Sequence, residues 1–245
     1  ETHEEAAALL EEGNPRRVFA HDDLGPDADI AFLFPGGGAQ YPNMGRDLYE
    51  TEPVFAEWMD RGLDHLATKT DTDLRALWLP EPGAEAAAAE ALMKPSAQLP
   101  LILIVEYALA QLWLSWGVKP AVLIGHSMGE NTAAALAGVM RFEDCIDLVL
   151  RRGQLFDTVV PGGMLSVPMA EADLRLLVGD DLDIASINAP ALCAVSGPKG
   201  RLEALKADLA RREIVAQMVA IDIAAHSRML DPILDDFRAV LAGLT

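Results

Sequence analysis

Gly125-His126-Ser127-Met128-Gly129 places a serine hydroxyl between two glycines at the end of an apolar run. Ala121 to Ile124 lead into it, and small residues suited to a helix follow from Glu130 to Gly138. A strand, Gly-x-Ser-x-Gly and a helix make the pattern of a nucleophile elbow. The turn is sharp, and a Cβ at either glycine would strike the neighbouring strand or helix. The hydroxyl then stands over a helix N-terminus, where free N–H groups and the helix dipole favour negative charge. The N–H of Met128, next after the serine, is placed to bind a developing oxyanion. Ser127 is therefore posed to attack a carbonyl.

A neutral serine hydroxyl needs a base. Five histidines are available. His3 and His21 fall in a linker-like start and His65 in a polar helical stretch, all expected at the surface. His126 adjoins the serine, but in an elbow its side chain is expected to point into the strand layer as a hydrogen-bonded structural group. His226 sits in a loop between a strand and a helix, where functional residues concentrate, and is the base by elimination. The loop "FPGGGAQYPNMG" lacks the Lys-Ser/Thr of a P-loop and the G-x-G-x-x-G spacing. A Gly-rich loop after a strand can equally offer backbone N–H groups to an oxyanion. On residue type alone, Arg152 reads as a solvated helix charge.

These residues need a scaffold, and the sequence spells an α/β one. Residues 1–28 read as a helix with alanine and glutamate on different faces, then a Gly/Pro/Asp-rich connector, together a linker tail. "DIAFLFPGGG" reads as a fully buried strand feeding a tight loop. Residues 51–92 read as helices with polar turns, and Ser96 to Trp116 as a long buried helix. Gly117 and Pro120 break that helix before the strand Ala121–Ile124. "RFEDCIDLVLRRGQLF" is an amphipathic helix. After 161 the order becomes β-α-β-β-α-β over 162–221: "MLSVPM", "EADLRLLVG", "LDIASINAP", "LCAVSGP", "KGRLEALKADLARRE" and "IVAQMVAI". That is the order of a ferredoxin-like split βαβ unit, expected as a small subdomain inserted into a larger α/β one spanning 29–161 and 222–245.

Composition bounds the function. With 51% apolar and 23% charged residues among 245, the chain can bury a core and is not disordered. A net charge of −19 argues against nucleic acid, which needs clustered Lys and Arg. Glu106 and Gln111 interrupt the most apolar run, which suits a buried helix better than a membrane span. Cys145 and Cys193 sit in apolar surroundings and fit a reducing cytoplasm rather than a disulfide framework. Neither the cysteines nor the histidines have metal-ligand spacing.

"FLFPGGGAQYPNMG", "KPSAQLPLILIVEYALAQLWLSWGVKP", "GHSMGENTAAALAGV", "RRGQL" and "IAAHSRML" follow one another in the order and spacing of malonyl-CoA:acyl-carrier-protein transacylases. From about Ile30 onward the chain resembles the acyltransferase domains of modular polyketide synthases. The resemblance implies a hydrolase-like α/β subdomain with a ferredoxin-like insert. It implies that Ser127 accepts the acyl group, that His226 is its base, and that Gln40 supplies a backbone N–H to the oxyanion hole beside Met128. It implies that Arg152 grips a free carboxylate, as its planar fork suits, while Gln98 and Ala225 line the acyl pocket. The implied substrate is a coenzyme A thioester, with no cofactor bound. The implied partners are an acyl carrier protein and an adjacent ketosynthase and other domains of a parent polypeptide. Residues 1–28 would end the linker after the ketosynthase, and family members continue beyond Thr245 with elements that include the group orienting the histidine. The tetrad Ile223-Ala224-Ala225-His226 is neither the His-Ala-Phe-His common in malonyl-selective members nor the Tyr-Ala-Ser-His of methylmalonyl-selective ones. Ala225 leaves room for an α-substituent while Met128 fills space, so malonyl and methylmalonyl are expected to load within about tenfold of each other. Two alternatives stay open on the sequence: a serine esterase, and a non-catalytic docking domain.

Overall fold

Thr2 accepts a hydrogen bond from the Glu5 N–H and so caps α1 (His3–Glu12), the helix expected at the start. The computed structural model describes residues 2–13, 15–19 and 29–243; the expected Gly/Pro/Asp connector, with His21, falls mostly on residues outside these. Strand β1 (Ala31–Phe34) follows, then α2 (Arg46–Thr51), α3 (Pro53–Ala67), α4 (Leu74–Trp78) and α5 (Glu85–Ala91). Next come α6 (Pro95–Ser115), β2 (Val122–Gly125), α7 (Gly129–Leu136) and α8 (Phe142–Phe156). Helix α6 is apolar around most of its circumference, which suits an interior position. It packs between α3 and α8, where Phe55, Met59, Ile102, Ile104, Ile146 and Val149 form the main core.

Strands β1 and β2 pair in parallel, with Phe34 opposite Gly125. The expectation of a fully buried β1 is not met among the described residues. Only Phe34 is buried, and Leu33 is 70% exposed. The physical reason is that this sheet has two described strands, so each has one neighbour and much of the pair stays open.

The second sheet comprises β3 (Gly163–Val167), β4 (Asp183–Ala189), β5 (Leu192–Gly197) and β6 (Gln217–Met218), in the order β4-β5-β3-β6. Helices α9 (Glu171–Arg175) and α10 (Lys199–Arg211) complete the β-α-β-β-α-β order. Alternation along the strands separates two faces. Leu165, Val167, Cys193 and Val195 pack with Leu202 and Leu209 of α10, while Met164, Ser166 and Ala194 face the opposite way, into a cavity described below. The last strand is shorter than "IVAQMVAI" suggests. The paired ladder ends at Met218, with the Val219 N–H still donating to the Met164 carbonyl at 2.9 Å, and Val219, Ile221 and Ile223 serve as cavity wall. A 3₁₀ turn, Arg228–Ile233, and α11 (Leu234–Ala242) follow.

Candidate active site

Ser127 closes the tight turn between β2 and α7 with φ 54°, a left-handed value that a serine adopts only when its surroundings enforce it. The two flanking glycines permit this. A Cβ on Gly125 would lie 2.1 Å from the Glu130 nitrogen, and one on Gly129 2.2 Å from the Phe34 carbonyl oxygen. The turn therefore wedges against both α7 and β1. Met128 is the N-cap of α7, so its N–H belongs to the unpaired first turn of that helix.

His226 comes from the far end of the chain, also left-handed at φ 57°. Its Nε2 lies 2.7 Å from Ser127 Oγ. Burial, and then the neighbouring His126 and Arg152, hold its imidazole below the ordinary 6.5, with Glu130 opposing. At neutral pH it is thus the unprotonated form that faces the serine.

Both residues open onto a cavity of about 640 Å³ walled by α6, α8, the small sheet and α11. Three of its polar atoms are buried without a partner: Arg152 Nε, Gln98 Nε2 and Ser186 Oγ. Buried polar groups are normally paired, so three orphans in one cavity mark where a polar ligand is expected. Arg152 turns inward because it lies four residues after Leu148 and three after Val149, on the buried stripe of α8, while Arg151 is exposed. Burial lowers the Arg152 guanidinium from its ordinary value, yet a guanidinium stays charged. Gln98, 2% exposed, packs its Oε1 against Gly37. Ala225 also lines the cavity.

Gln40, expected to offer its backbone N–H, is not among the residues lining this cavity; its side chain turns back on the loop, where Oε1 accepts from the Gly38 N–H at 3.0 Å and Nε2 faces Met93 Sδ. Gly36, beside Ser127, and Gly37, beside Gln98, line it instead, the chain turning at Gly38 (φ 104°) before it reaches Gln40. His126 does not enter the strand layer. As a correction to that expectation, it is exposed at the cavity wall, where its Nε2 lies 3.1 Å from Asn188 Oδ1 of β4, a partner that holds it on that side. The sequence reading missed Ser186 and Asn188. Register shifts flank Ser186 and Asn188 in the β4–β5 pairing, and a bulged strand carries no clean alternation to read.

Other reactive groups are set aside by their surroundings. Burial pushes the Cys145 thiol up to about 12, and its Sγ faces the Asn131 carbonyl. Cys193 is buried and free. Among the described residues no three His, Cys, Asp or Glu side chains cluster to hold a metal ion. A slightly larger apolar cavity, about 700 Å³ between β1 and α6, contains Glu106 but neither nucleophile nor base.

The family model described as "Acyl transferase domain" matches residues 31–245. The chain is 34% identical over 251 residues to a component of the phenolphthiocerol/phthiocerol polyketide synthase of Mycobacterium tuberculosis, covering 98% of this chain and 16% of that protein. It is 37% identical over 222 residues to polyketide synthase GfsE of Streptomyces halstedii, covering 88% of this chain and 6% of that one. The chain thus spans a small fraction of the curated relatives it matches. Among solved structures it superposes on the acyl transferase domain of ZmaA with a TM-score of 0.83 at 34% identity, over 99% of this chain and 56% of that one. The malonyl CoA-acyl carrier protein transacylase from Clostridium perfringens gives 0.74 at 25% identity, over 89% and 69%.

Proposed function

This chain belongs to the acyl transferase domain family, and from that premise we propose that it moves a carboxyacyl unit from a coenzyme A thioester onto Ser127, and then onto the phosphopantetheine thiol of an acyl carrier protein. The observation that carries the reading is the 2.7 Å contact between Ser127 and His226, in a cavity that also holds the buried, unpartnered Nε of Arg152.

The cycle has two halves. His226 Nε2 takes the Ser127 proton as Oγ attacks the thioester carbonyl, and the coenzyme A thiolate departs with a proton returned by the imidazole. The incoming carrier thiol then gives its proton to His226 and attacks the ester carbon, and the imidazolium returns that proton to the departing Ser127 Oγ. In both halves the carbonyl oxygen becomes an oxyanion, and the N–H groups of Met128 and Gly37 are the donors we assign to it. Gly37 replaces Gln40 in that role because it stands against the cavity. The Arg152 fork takes the free carboxylate of the acyl group, a charge-assisted pair inside a largely apolar enclosure. Gln98 Nε2 is a second donor on the same wall. Ala225 is small, so an α-methyl fits beside it, and malonyl and methylmalonyl load within about tenfold of each other. Residues 162–221 act as a small subdomain across the cleft from 29–161 and 222–245, and the carrier protein and neighbouring polyketide synthase domains are the partners.

Incubation with isotopically labelled malonyl-CoA, followed by intact mass and peptide mapping, tests this. A malonyl adduct on Ser127 that a Ser127→Ala variant lacks is expected. Rapid release of free malonate without an adduct would mean an esterase, and no reaction at all a docking domain.

A further inference from the structure

We propose that Asp183 and Arg228 are positioning residues for His226, and that strand β4 brackets the Ser127–His226 pair from both sides. Arg228 lies two residues after the base. Its Nη2 donates to Asp183 Oδ1 at 2.7 Å and its Nε sits 3.1 and 3.2 Å from the two carboxylate oxygens. Its own backbone N–H donates to Asp183 Oδ2 at 3.0 Å, and Nη1 donates to the Asp180 carbonyl at 3.0 Å. An isolated exposed ion pair contributes little. This one is a bidentate fork reinforced through the main chain, so it fixes backbone as well as side chain.

That backbone needs fixing. His226 is held at φ 57°, a conformation an unrestrained histidine leaves, and leaving it would swing the imidazole away from Ser127 Oγ. On its other side Ser227 Oγ donates to the Ala224 carbonyl at 2.7 Å and accepts from the Met229 N–H. The Asp183 grip closes the remaining direction. Near the opposite end of the same strand, Asn188 Oδ1 meets His126, the residue before the nucleophile. Strand β4 therefore touches the chain one residue before Ser127 and two residues after His226. The Arg228 hydrogen bonds keep the Asp183 carboxyl below the usual carboxylate range, so the clamp is charged at neutral pH.

The test uses a fluorophosphonate, which reads the pair without any acyl donor. The Ser127 Oγ–P bond forms, fluoride leaves, and the hydroxyl proton passes to His226. Asp183→Ala and Arg228→Ala should each lower the limiting labelling rate about 10- to 100-fold, the scale of a misplacement near 1 Å, with the half-saturating concentration of reagent within about threefold of wild type. The double variant should be no slower than the slower single, because both remove one clamp. Should Asp183→Ala fail to fold, Asp183→Asn, which keeps the shape and weakens the fork, gives the same readout. Singles labelled within threefold of wild type, or fully multiplicative losses in the double, would overturn the proposal. The inference rests on the acyltransferase reading only in calling His226 the base: a wild-type protein that is labelled yet loads no acyl group would sink that reading and leave the clamp measurable.

Discussion

Glu106 is the one acidic side chain in the largely apolar helix α6, and replacing it with glutamine should remove a large pH dependence of stability. The carboxyl is 9% exposed. Its Oε2 accepts from Thr132 Oγ1 at 2.5 Å and its Oε1 has no partner. Burial raises its pKa from 4.5 to about 8, against the opposing Thr132 hydrogen bond. Because the folded value is raised, the folded state favours the protonated form. Its stabilisation is complete below pH 4.5 and is lost as pH rises through about 8. At about 1.4 kcal/mol per pH unit, the full span is on the order of 5 kcal/mol, a third or more of a typical domain's stability. Glutamine has nearly the same shape and does not titrate. Chemical denaturation of wild type and Glu106→Gln at pH 5, 7 and 9 measures the effect. The difference between the two proteins should shift by about 4 kcal/mol from pH 5 to pH 9, wild type losing ground as pH rises. A difference flat to within about 1 kcal/mol would show that the carboxyl ionises without cost, and that burial does not govern it.

The acid limb of kcat/KM for acyl loading should lie below pH 6.5, since burial and the neighbouring His126 and Arg152 keep His226 neutral; activity falls only as pH drops through that lowered value. An inflection above 7 would mean another group is the base. Arg152→Ala should cost malonyl loading about ten- to hundredfold more than acetyl loading, the worth of one charge-assisted pair at roughly 1.5–3 kcal/mol; equal losses would make the arginine purely structural. Gly129→Ala puts a Cβ 2.2 Å from the Phe34 carbonyl oxygen, so thermal melting should show a loss of about 1–3 kcal/mol together with slower loading. An alanine variant with unchanged melting and loading would argue that α7 is free to move off β1.

Local geometry was legible in the sequence. The strand, Gly125-His126-Ser127-Met128-Gly129 and the helix are neighbours along the chain, so their geometry follows from backbone sterics that any sequence of that pattern meets. The apolar helix Pro95–Ser115 and the β-α-β-β-α-β order were legible for the same reason, because period and punctuation are local. What lies between distant segments was not. Ninety-nine positions separate Ser127 from His226, and only the packing of the small sheet and the closing turn brings Nε2 to 2.7 Å from Oγ. A run of three glycines followed by Ala39 and Gln40 cannot say which of them reaches the cavity; that depends on where the chain turns, at Gly38, which leaves Gly36 and Gly37 on the cavity wall and Gln40 off it. His126 looked like an interior residue until its neighbour across the cleft, Asn188, was known. Arg152 reads as solvent-facing by type, but the stripe of Leu148, Val149 and Phe156 decides its direction once α8 is laid against α6. Residue type and spacing set what each group can do; burial and cross-chain partners, which exist only after folding, decide its charge, its direction and its company.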